Sequence, residues 1–227
     1  MKFGIIGALS SEVALIAEKM GNKKEHTFKF LKVTEGTIGN NEVFLCCSSI
    51  GKVNAAIATQ LLIDKFGIDA MINSGIAGAM GDNVGVLDVV ISKNVCYHDA
   101  DLDIFKKYPP YMDEYLADED MINHAKLACE KNCNGSFKIH VGKIVTGDKF
   151  VTDSKIKGEI KNRCTPLCIE MEGAAIAHTA IINEIPFVII RTMSDSADDS
   201  GEMDYDKFEV IAAKNSAKIV TDLIENY

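Results

Sequence analysis

The sequence lacks the features that define several protein classes. No apolar run reaches about 18 residues, so we predict no membrane-spanning helix. An excess of basic residues is also missing, because 24 Lys and Arg against 33 Asp and Glu give a net charge of −9. A protein that follows a phosphate backbone needs a basic face. We therefore expect neither a membrane nor a nucleic acid as partner, whereas a small nucleoside without phosphate stays compatible with this charge.

The cysteine pattern offers no metal or disulfide framework. The seven cysteines are an odd number, are scattered along the chain, and show no C-x-x-C spacing. Such a pattern favours reduced thiols over disulfides or a zinc site. The first residues enter a short predicted strand without the charged and long apolar regions of a secretory leader. We expect a cytoplasmic protein.

No repeat, low-complexity segment or linker divides the 227 residues. A chain of this length can form one α/β domain with a substantial core, so we expect a single domain over residues 1–227. A serine nucleophile is not predicted, because the sequence has no G-x-S-x-G motif.

Apolar periodicity predicts strands that alternate with helices. The predicted strands are 3–7, 28–37, 42–49, 70–74, 86–95, 137–145, 166–170 and 186–193. The predicted helices are 11–20, 52–66, 118–132, 153–162, 172–183 and 205–225. This alternation indicates an α/β fold with a central, mostly parallel sheet and helices on both sides. An antiparallel hairpin that turns near Gly39 makes the sheet mixed.

Charged and polar residues lie where two of the predicted strands end. Glu170 and Glu172 follow one strand, and Arg191, Ser194 and Asp195 lie at the end of another. Such charges are costly to bury unless they bind something. Open α/β sheets place their ligands at strand ends. We interpret these residues as part of an active site.

Three further candidates follow other strands, each with a purely structural alternative. Glu12 lies in the first turn of a helix that we expect Ser10 or Ser11 to cap, where a carboxylate also suits the helix dipole. A glycine-rich loop is predicted over 75–81, which would let the backbone approach a ligand or would form a plain turn. Phe150 follows a tight turn and would be either a stacking platform or a core residue.

Carboxylates gathered in this way suit the cleavage of a sugar–base bond. Breaking a glycosidic bond produces an oxocarbenium-like sugar, so one carboxylate is needed to activate water and one acid to assist the leaving group. For a purine, the acid acts on a ring nitrogen. A third carboxylate can accept hydrogen bonds from the ribose hydroxyls.

Essentially the whole chain resembles the 5′-methylthioadenosine/S-adenosylhomocysteine nucleosidases of the purine nucleoside phosphorylase and uridine phosphorylase superfamily. The matching segments are 4–8 with Glu12, 49–56, 73–78, 97–101, 146–150, 170–177 and 191–198. The resemblance implies that Glu12 activates water and that Asp195, oriented by Ser194, donates a proton to adenine N7. It also implies that Glu172 and the Met171 backbone bind the ribose hydroxyls.

The resemblance assigns further binding residues and a homodimer. Phe150 would stack on adenine, the Val151 backbone would read its edge, and Arg191 would lie near the water and the ribose. Gly78 is a further binding candidate in the glycine-rich segment. Residues implied for the apolar slot of the 5′-alkylthio group are Leu9, Ile50, Tyr205 and Phe208, closed by Leu102 and Phe105 of a neighbouring subunit.

The chain departs from this family at Ile76, where relatives commonly have a small hydroxyl residue. The replacement removes a hydrogen bond and adds bulk near the water and sugar. Leu9, where methionine is common, nearly conserves volume.

Three alternatives stay open. A nucleoside phosphorylase would need a phosphate cradle, where this chain offers Glu12, and a non-catalytic nucleoside sensor could use the same fold. The alternating His and Asp residues of 97–103 could also be read as a metal site, but they have no partner cluster nearby in the sequence. We expect no metal and no cofactor, because water and carboxylates suffice for hydrolysis.

Overall fold

The structure is a computed structural model that describes residues 1–133, 135–198 and 201–227. Its strands are β1 Lys2–Gly7, β2 Gly21–Phe28, β3 Leu31–Ile38, β4 Asn41–Cys47, β5 Ala70–Ala79, β6 Val89–Tyr97, β7 Tyr115–Leu116, β8 Ile139–Thr146, β9 Cys168–Glu170 and β10 Phe187–Asp195. Its helices are α1 Ser10–Lys19, α2 Lys52–Phe66, α3 Leu102–Lys107, α4 Glu119–Cys133, α5 Ser154–Cys164, α6 Gly173–Ile182 and α7 Gly201–Glu225.

The strands form one mixed sheet, which confirms the predicted fold class. Its centre is parallel, in the order β4, β1, β5 and β10. Strand β10 also pairs with β6, and β9 pairs with both β8 and β5. With the pairing of β6 and β8, these five strands close into a ring. Helices α1 and α4 pack against α7, and α2 packs against α6.

Strand β5 differs from the prediction, because it continues through residues 75–79 where a loop was expected. Gly75 pairs with Arg191 of β10, and Gly78 pairs with Ile169 of β9. The strand carries glycine at these two positions because side-chain atoms of neighbouring residues, among them Arg191 Nη1 and Asp195 Oδ1, occupy the space that a Cβ would fill. The predicted loop is therefore wrong, and the close neighbours of these glycines are protein side chains, so the approach of the backbone to a ligand stays a prediction.

The start of the sheet also differs from the prediction. The strand expected over 28–37 contains a tight turn at Lys29, with φ +53°, and Phe30. Before that turn, β2 is an exposed polar strand that lacks apolar alternation, so the sequence pattern did not reveal it. The hairpin between β3 and β4 is confirmed, and it turns at Gly39 with φ +57°. In the described ranges, no helix is long and apolar enough to cross a membrane.

Candidate active site

A cleft of about 500 Å³ opens where β1, β5, β9 and β10 end, a volume typical of sites for small molecules. It brings together ten of the predicted site residues, Leu9, Glu12, Ile50, Gly78, Phe150, Met171, Glu172, Ser194, Asp195 and Tyr205. It is also lined by Ala8, Ile76, Ala77, Ile169 and Glu170. The three carboxylates assigned to water, sugar and leaving group thus face a common space.

Glu12 is fixed by backbone amides rather than by side chains. The N–H groups of Ala8 and Leu9 donate to its Oε2 at 2.7 and 2.9 Å, and the Ile76 N–H donates to its Oε1 at 3.0 Å. Burial raises the pKa of Glu12, while Arg191 and these amides act in the opposite direction. The predicted helix cap is wrong. Leu9 occupies the N-cap position of α1, and neither Ser10 nor Ser11 does.

Arg191 is fully buried and lies behind the cleft wall rather than in it. Its Nη2 pairs with Glu170 and lies 3.7 Å from Glu172 Oε2. Burial opposes the charge of Arg191, but the carboxylates of Glu170, Glu172 and Glu12 raise its pKa. A Cβ on Gly75 would lie 1.9 Å from Arg191 Nη1, so the guanidinium occupies the place of a side chain there.

The loop after β9 is held by Glu170 and presents Glu172 to the cleft. The Glu172 and Gly173 N–H groups donate to Glu170 Oε2 at 3.0 and 2.7 Å, and the Thr146 hydroxyl donates to Glu170 Oε1. Glu172 Oε1 accepts from the Gly51 N–H at 2.8 Å. Burial, and then repulsion from Glu170, raise the pKa of Glu172 to about 7. Glu172 is therefore poised to change its charge near neutral pH.

Asp195, at the end of β10, is oriented by two donors. The Ser194 hydroxyl donates to its Oδ2 at 2.8 Å, and the Ala197 N–H donates to its Oδ1 at 2.7 Å. A Cβ on Gly78 would lie 2.8 Å from Asp195 Oδ1. Because glycine has no Cβ, position 78 makes room for the carboxylate of Asp195.

Aromatic and aliphatic side chains form the outer walls of the cleft. Phe150 and Tyr205 meet edge to face, with ring centroids 5.6 Å apart. Phe150 and Ile50 remain about half exposed. Exposed apolar surface at a cleft mouth is typical of a ligand or partner site.

Ile76 is almost fully buried and packs in an apolar cluster with Ala212, Ala213, Leu9 and Tyr205. Its bond to Glu12 is made by the backbone N–H. The isoleucine therefore replaces a polar side chain with an apolar one without removing this contact to the carboxylate.

Four other predicted residues do not line the main cleft. Val151 is buried and lines a small adjoining recess together with Gly78 and Phe150. Phe208 of α7 is half-buried beside Lys207. Leu102 and Phe105 lie in α3, where Phe105 contacts Tyr97 and His178.

The segment that could be read as a metal site instead binds a lysine and a backbone amide. Both carboxylate oxygens of Asp99 accept from Lys52 Nζ, at 2.8 and 2.7 Å, and Oδ2 also accepts from the Asp148 N–H at 2.9 Å. Across the parts of the chain that the structure describes, no group of three or more His, Cys, Asp or Glu residues could hold a metal ion.

Sequence reasoning singled out Glu170 as a strand-end charge but did not find its anchoring role. The signal that was available is the pair of carboxylates two residues apart where a strand ends and a helix begins, because the first can accept hydrogen bonds from the backbone N–H groups of that bend. Thr146 was missed as well, although it donates to Glu170 and accepts from the Ala174 N–H at 2.7 Å.

Comparisons with known proteins identify the family of the chain. The Phosphorylase superfamily model matches residues 2–225. Two 5′-methylthioadenosine/S-adenosylhomocysteine nucleosidases, from an Exiguobacterium species and from Staphylococcus carnosus, are 40% and 38% identical. The alignments cover 97% and 98% of this chain and 96% and 99% of the relatives. The Neisseria meningitidis nucleosidase, solved with methylthio-immucillin-A, is 37% identical with a TM-score of 0.95 over 100% of this chain and 99% of that one. The chain belongs to the 5′-methylthioadenosine/S-adenosylhomocysteine nucleosidase family of the phosphorylase superfamily.

Proposed function

We propose that this chain hydrolyses the N-glycosidic bond of 5′-methylthioadenosine, S-adenosylhomocysteine and 5′-deoxyadenosine. The products are adenine and the 5′-substituted ribose, as methionine salvage requires. The observation that carries the proposal is the convergence of Glu12, Glu172 and Asp195 on one cleft. The names of the relatives, and the methylthio-immucillin-A bound by the Neisseria protein, support the same substrate class.

Glu12 is the base for the attacking water. Three amides hold its carboxylate in one orientation, and its raised pKa makes it a better proton acceptor than an ordinary glutamate. Water attacks C1′ of the ribose and gives a proton to Glu12. The bond between C1′ and N9 breaks, and its electron pair leaves with the adenine ring.

Asp195 is the acid for the leaving group. It donates a proton to adenine N7, which balances the electron pair that the ring receives. The Ser194 hydroxyl fixes the carboxyl group, and Phe150 stacks on the base while the Val151 backbone reads its edge. Solvent then returns the proton from Glu12 to Asp195.

Glu172 and the Met171 backbone bind the ribose. Glu172 reaches the cleft with Oε1 already bound to the Gly51 N–H, so its remaining lone pairs are available to the 2′ and 3′ hydroxyls. Arg191 supports this carboxylate from behind the wall rather than touching the sugar.

The charge of the cleft favours water over phosphate as the nucleophile. The described residues that line the 500 Å³ cleft include four carboxylates and no Lys, Arg or His. Lys149 lines only the small adjoining recess. Phosphate would be repelled here, whereas a neutral water molecule is not.

We also propose that the active form is a homodimer in which Leu102 and Phe105 of one copy close the 5′ slot of the other. Exposed apolar side chains support this, because Val53 and Ile57 of α2 and Ile182 of α6 lie on two helices in contact. Analytical ultracentrifugation tests this, and a monomer that is fully active would contradict it.

The free state of the cysteines supports a cytoplasmic location.

The discriminating experiment incubates the protein with 5′-methylthioadenosine, with and without phosphate, and measures free adenine. Adenine without phosphate supports hydrolysis. Release that strictly requires phosphate identifies a phosphorylase, and binding without release identifies a sensor.

A variant tests the acid directly. We expect Asp195→Asn to lower kcat by about 10² to 10⁴, because the amide cannot supply the proton. The melting temperature of the variant shows whether the fold is retained. A folded variant that keeps the wild-type rate would contradict the role of Asp195.

A further inference from the structure

An ion-paired cluster of three residues, Lys52, Asp99 and Asp148, lies beside the cleft. Lys52 Nζ donates to both carboxylate oxygens of Asp99, at 2.8 and 2.7 Å, and lies 3.5 Å from Asp148 Oδ2. The Lys52 side chain is 24% exposed and that of Asp99 is 29% exposed. The cluster is therefore partly shielded from solvent.

The cluster joins three loops that are distant in sequence. Lys52 begins α2 after the loop that follows β4, Asp99 follows β6, and Asp148 follows β8. Two of the bonds use backbone amides, since the Lys52 N–H donates to Asp148 Oδ1 and the Asp148 N–H donates to Asp99 Oδ2, both at 2.9 Å. The cluster thus fixes main-chain positions and not only side-chain tips.

Two of the three joined loops carry a part of the cleft. Ile50 lies two residues before Lys52, and Phe150 lies two residues after Asp148. Between them, the Gly51 N–H donates to Glu172 Oε1 at 2.8 Å. Gly51 has φ +100°, and a Cβ there would lie 3.2 Å from the Asp148 carboxylate. A shift of the Ile50 loop would therefore move one cleft wall and the donor on Glu172, and a shift of the Phe150 loop would move the other wall.

The negative charge of Asp99 is stabilised within the cluster. Partial burial opposes ionisation of Asp99, but the Lys52 ammonium and the Asp148 N–H outweigh it and lower its pKa. Exposed ion pairs generally add little to stability. We therefore expect the cluster to matter more for the positions of the loops than for the stability of the fold.

We propose that Lys52, Asp99 and Asp148 are positioning residues that set the separation of the Ile50 and Phe150 walls and the place of the Gly51 N–H. The inference rests on the proposed function, since it concerns the same cleft. The three side chains touch neither the attacking water nor the substrate in this scheme. Their removal weakens binding more than it slows the chemical step, because Glu12 and Asp195 are anchored elsewhere.

The test compares Lys52→Met, Lys52→Arg and Asp99→Asn in the full chain. We expect Lys52→Met and Asp99→Asn to raise KM for 5′-methylthioadenosine about fivefold or more, with kcat within about twofold, as a loss of uniform binding requires. Lys52→Arg keeps the positive charge and should restore KM to within about twofold of the wild type. Lys131→Met, which breaks the remote 2.8 Å pair with Asp222, is the matched control and should change neither constant.

Adenine binding by calorimetry is measured in parallel, and the dissociation constant should rise about fivefold in Lys52→Met. Unchanged KM and unchanged adenine affinity in a folded Lys52→Met variant would overturn the inference, as would an arginine variant that is equally impaired. If Lys52→Met does not fold, the shape-conserving Asp99→Asn decides by the same criteria. If the wild-type chain binds adenine but releases none from nucleosides, the proposed function is refuted. The role of the cluster is then still decided by the adenine affinity of Lys52→Met.

Discussion

Gly75→Ala is the substitution for which the structure gives the sharpest expectation. The added Cβ would lie 1.9 Å from Arg191 Nη1 and 2.6 Å from Glu12 Oε1, where ordinary contact begins at 3.4 Å. The guanidinium would have to retreat by about 1.5 Å in a closely packed interior. It cannot do so freely, because its Nη2 is bound to Glu170 and to Asn73.

The cost follows from what this displacement breaks. Overpacking a core costs about 1–3 kcal/mol, and disrupting a buried ion pair costs about 3–5 kcal/mol. We expect a loss of about 3 kcal/mol, because the backbone of β5 can absorb part of the strain, and this corresponds to about 6–12 °C in Tm for a chain of this size. Moving Glu12 by an ångström would also lower kcat by about 10².

Thermal unfolding and adenine release measure the two effects separately. Gly158→Ala is the matched control, because a Cβ at this position in α5 meets nothing within 4 Å. Alanine in a helix interior is favoured over glycine by about 0.5–1 kcal/mol, so the control should gain stability and keep full activity. A Gly75→Ala variant with wild-type Tm and kcat would show that Arg191 and Glu12 are not confined as described.

Two further predictions concern the sugar and the 5′ substituent. Since the pKa of Glu172 is raised to about 7, its carboxylate fraction grows with pH, and kcat/KM should rise about tenfold from pH 6 to pH 8. Glu172→Gln should abolish this rise of kcat/KM with pH. A wild-type kcat/KM that is constant or falls between pH 6 and pH 8 would refute the role of the Glu172 carboxylate. Tyr205→Ala removes apolar surface from the cleft, so it should raise KM for 5′-methylthioadenosine more than KM for adenosine. Equal losses for the two nucleosides would place Tyr205 away from the 5′ slot.

The positions of the parallel strands and of the carboxylates followed from sequence patterns, because buried strands are nearly continuous apolar runs. The end of β5 did not follow. Glycines at 75 and 78 indicate a turn when read locally, and only the guanidinium of Arg191 and the carboxylate of Asp195 explain why a strand carries glycine at these positions. Such a cause lies more than a hundred residues away in the chain, beyond the reach of a local pattern.

The sequence could not predict on which side of the cleft wall Arg191 lies, for a similar reason. A charge at the end of an apolar strand indicates a site, but the pattern cannot say whether the charge faces the ligand or its neighbours. The structure places Arg191 fully inside, against Glu170 and Glu172. The residue that carries the positive charge of the site is thus a support for Glu170 and Glu172 rather than a part of the cleft lining.

The balance of charge around Arg191 suggests why this cleft suits an oxocarbenium-like transition state. One buried guanidinium faces the three carboxylates of Glu12, Glu170 and Glu172, and an uncompensated buried negative charge is costly. Burial raises the pKa of both Glu12 and Glu172, and at Glu172 repulsion from Glu170 and Glu12 adds to the rise. A sugar that becomes positive as its glycosidic bond breaks relieves the repulsion, and it does so more in the transition state than in the neutral nucleoside. Under the proposed function, the excess charge therefore lowers the barrier rather than merely tightening binding, which is the condition for it to raise kcat.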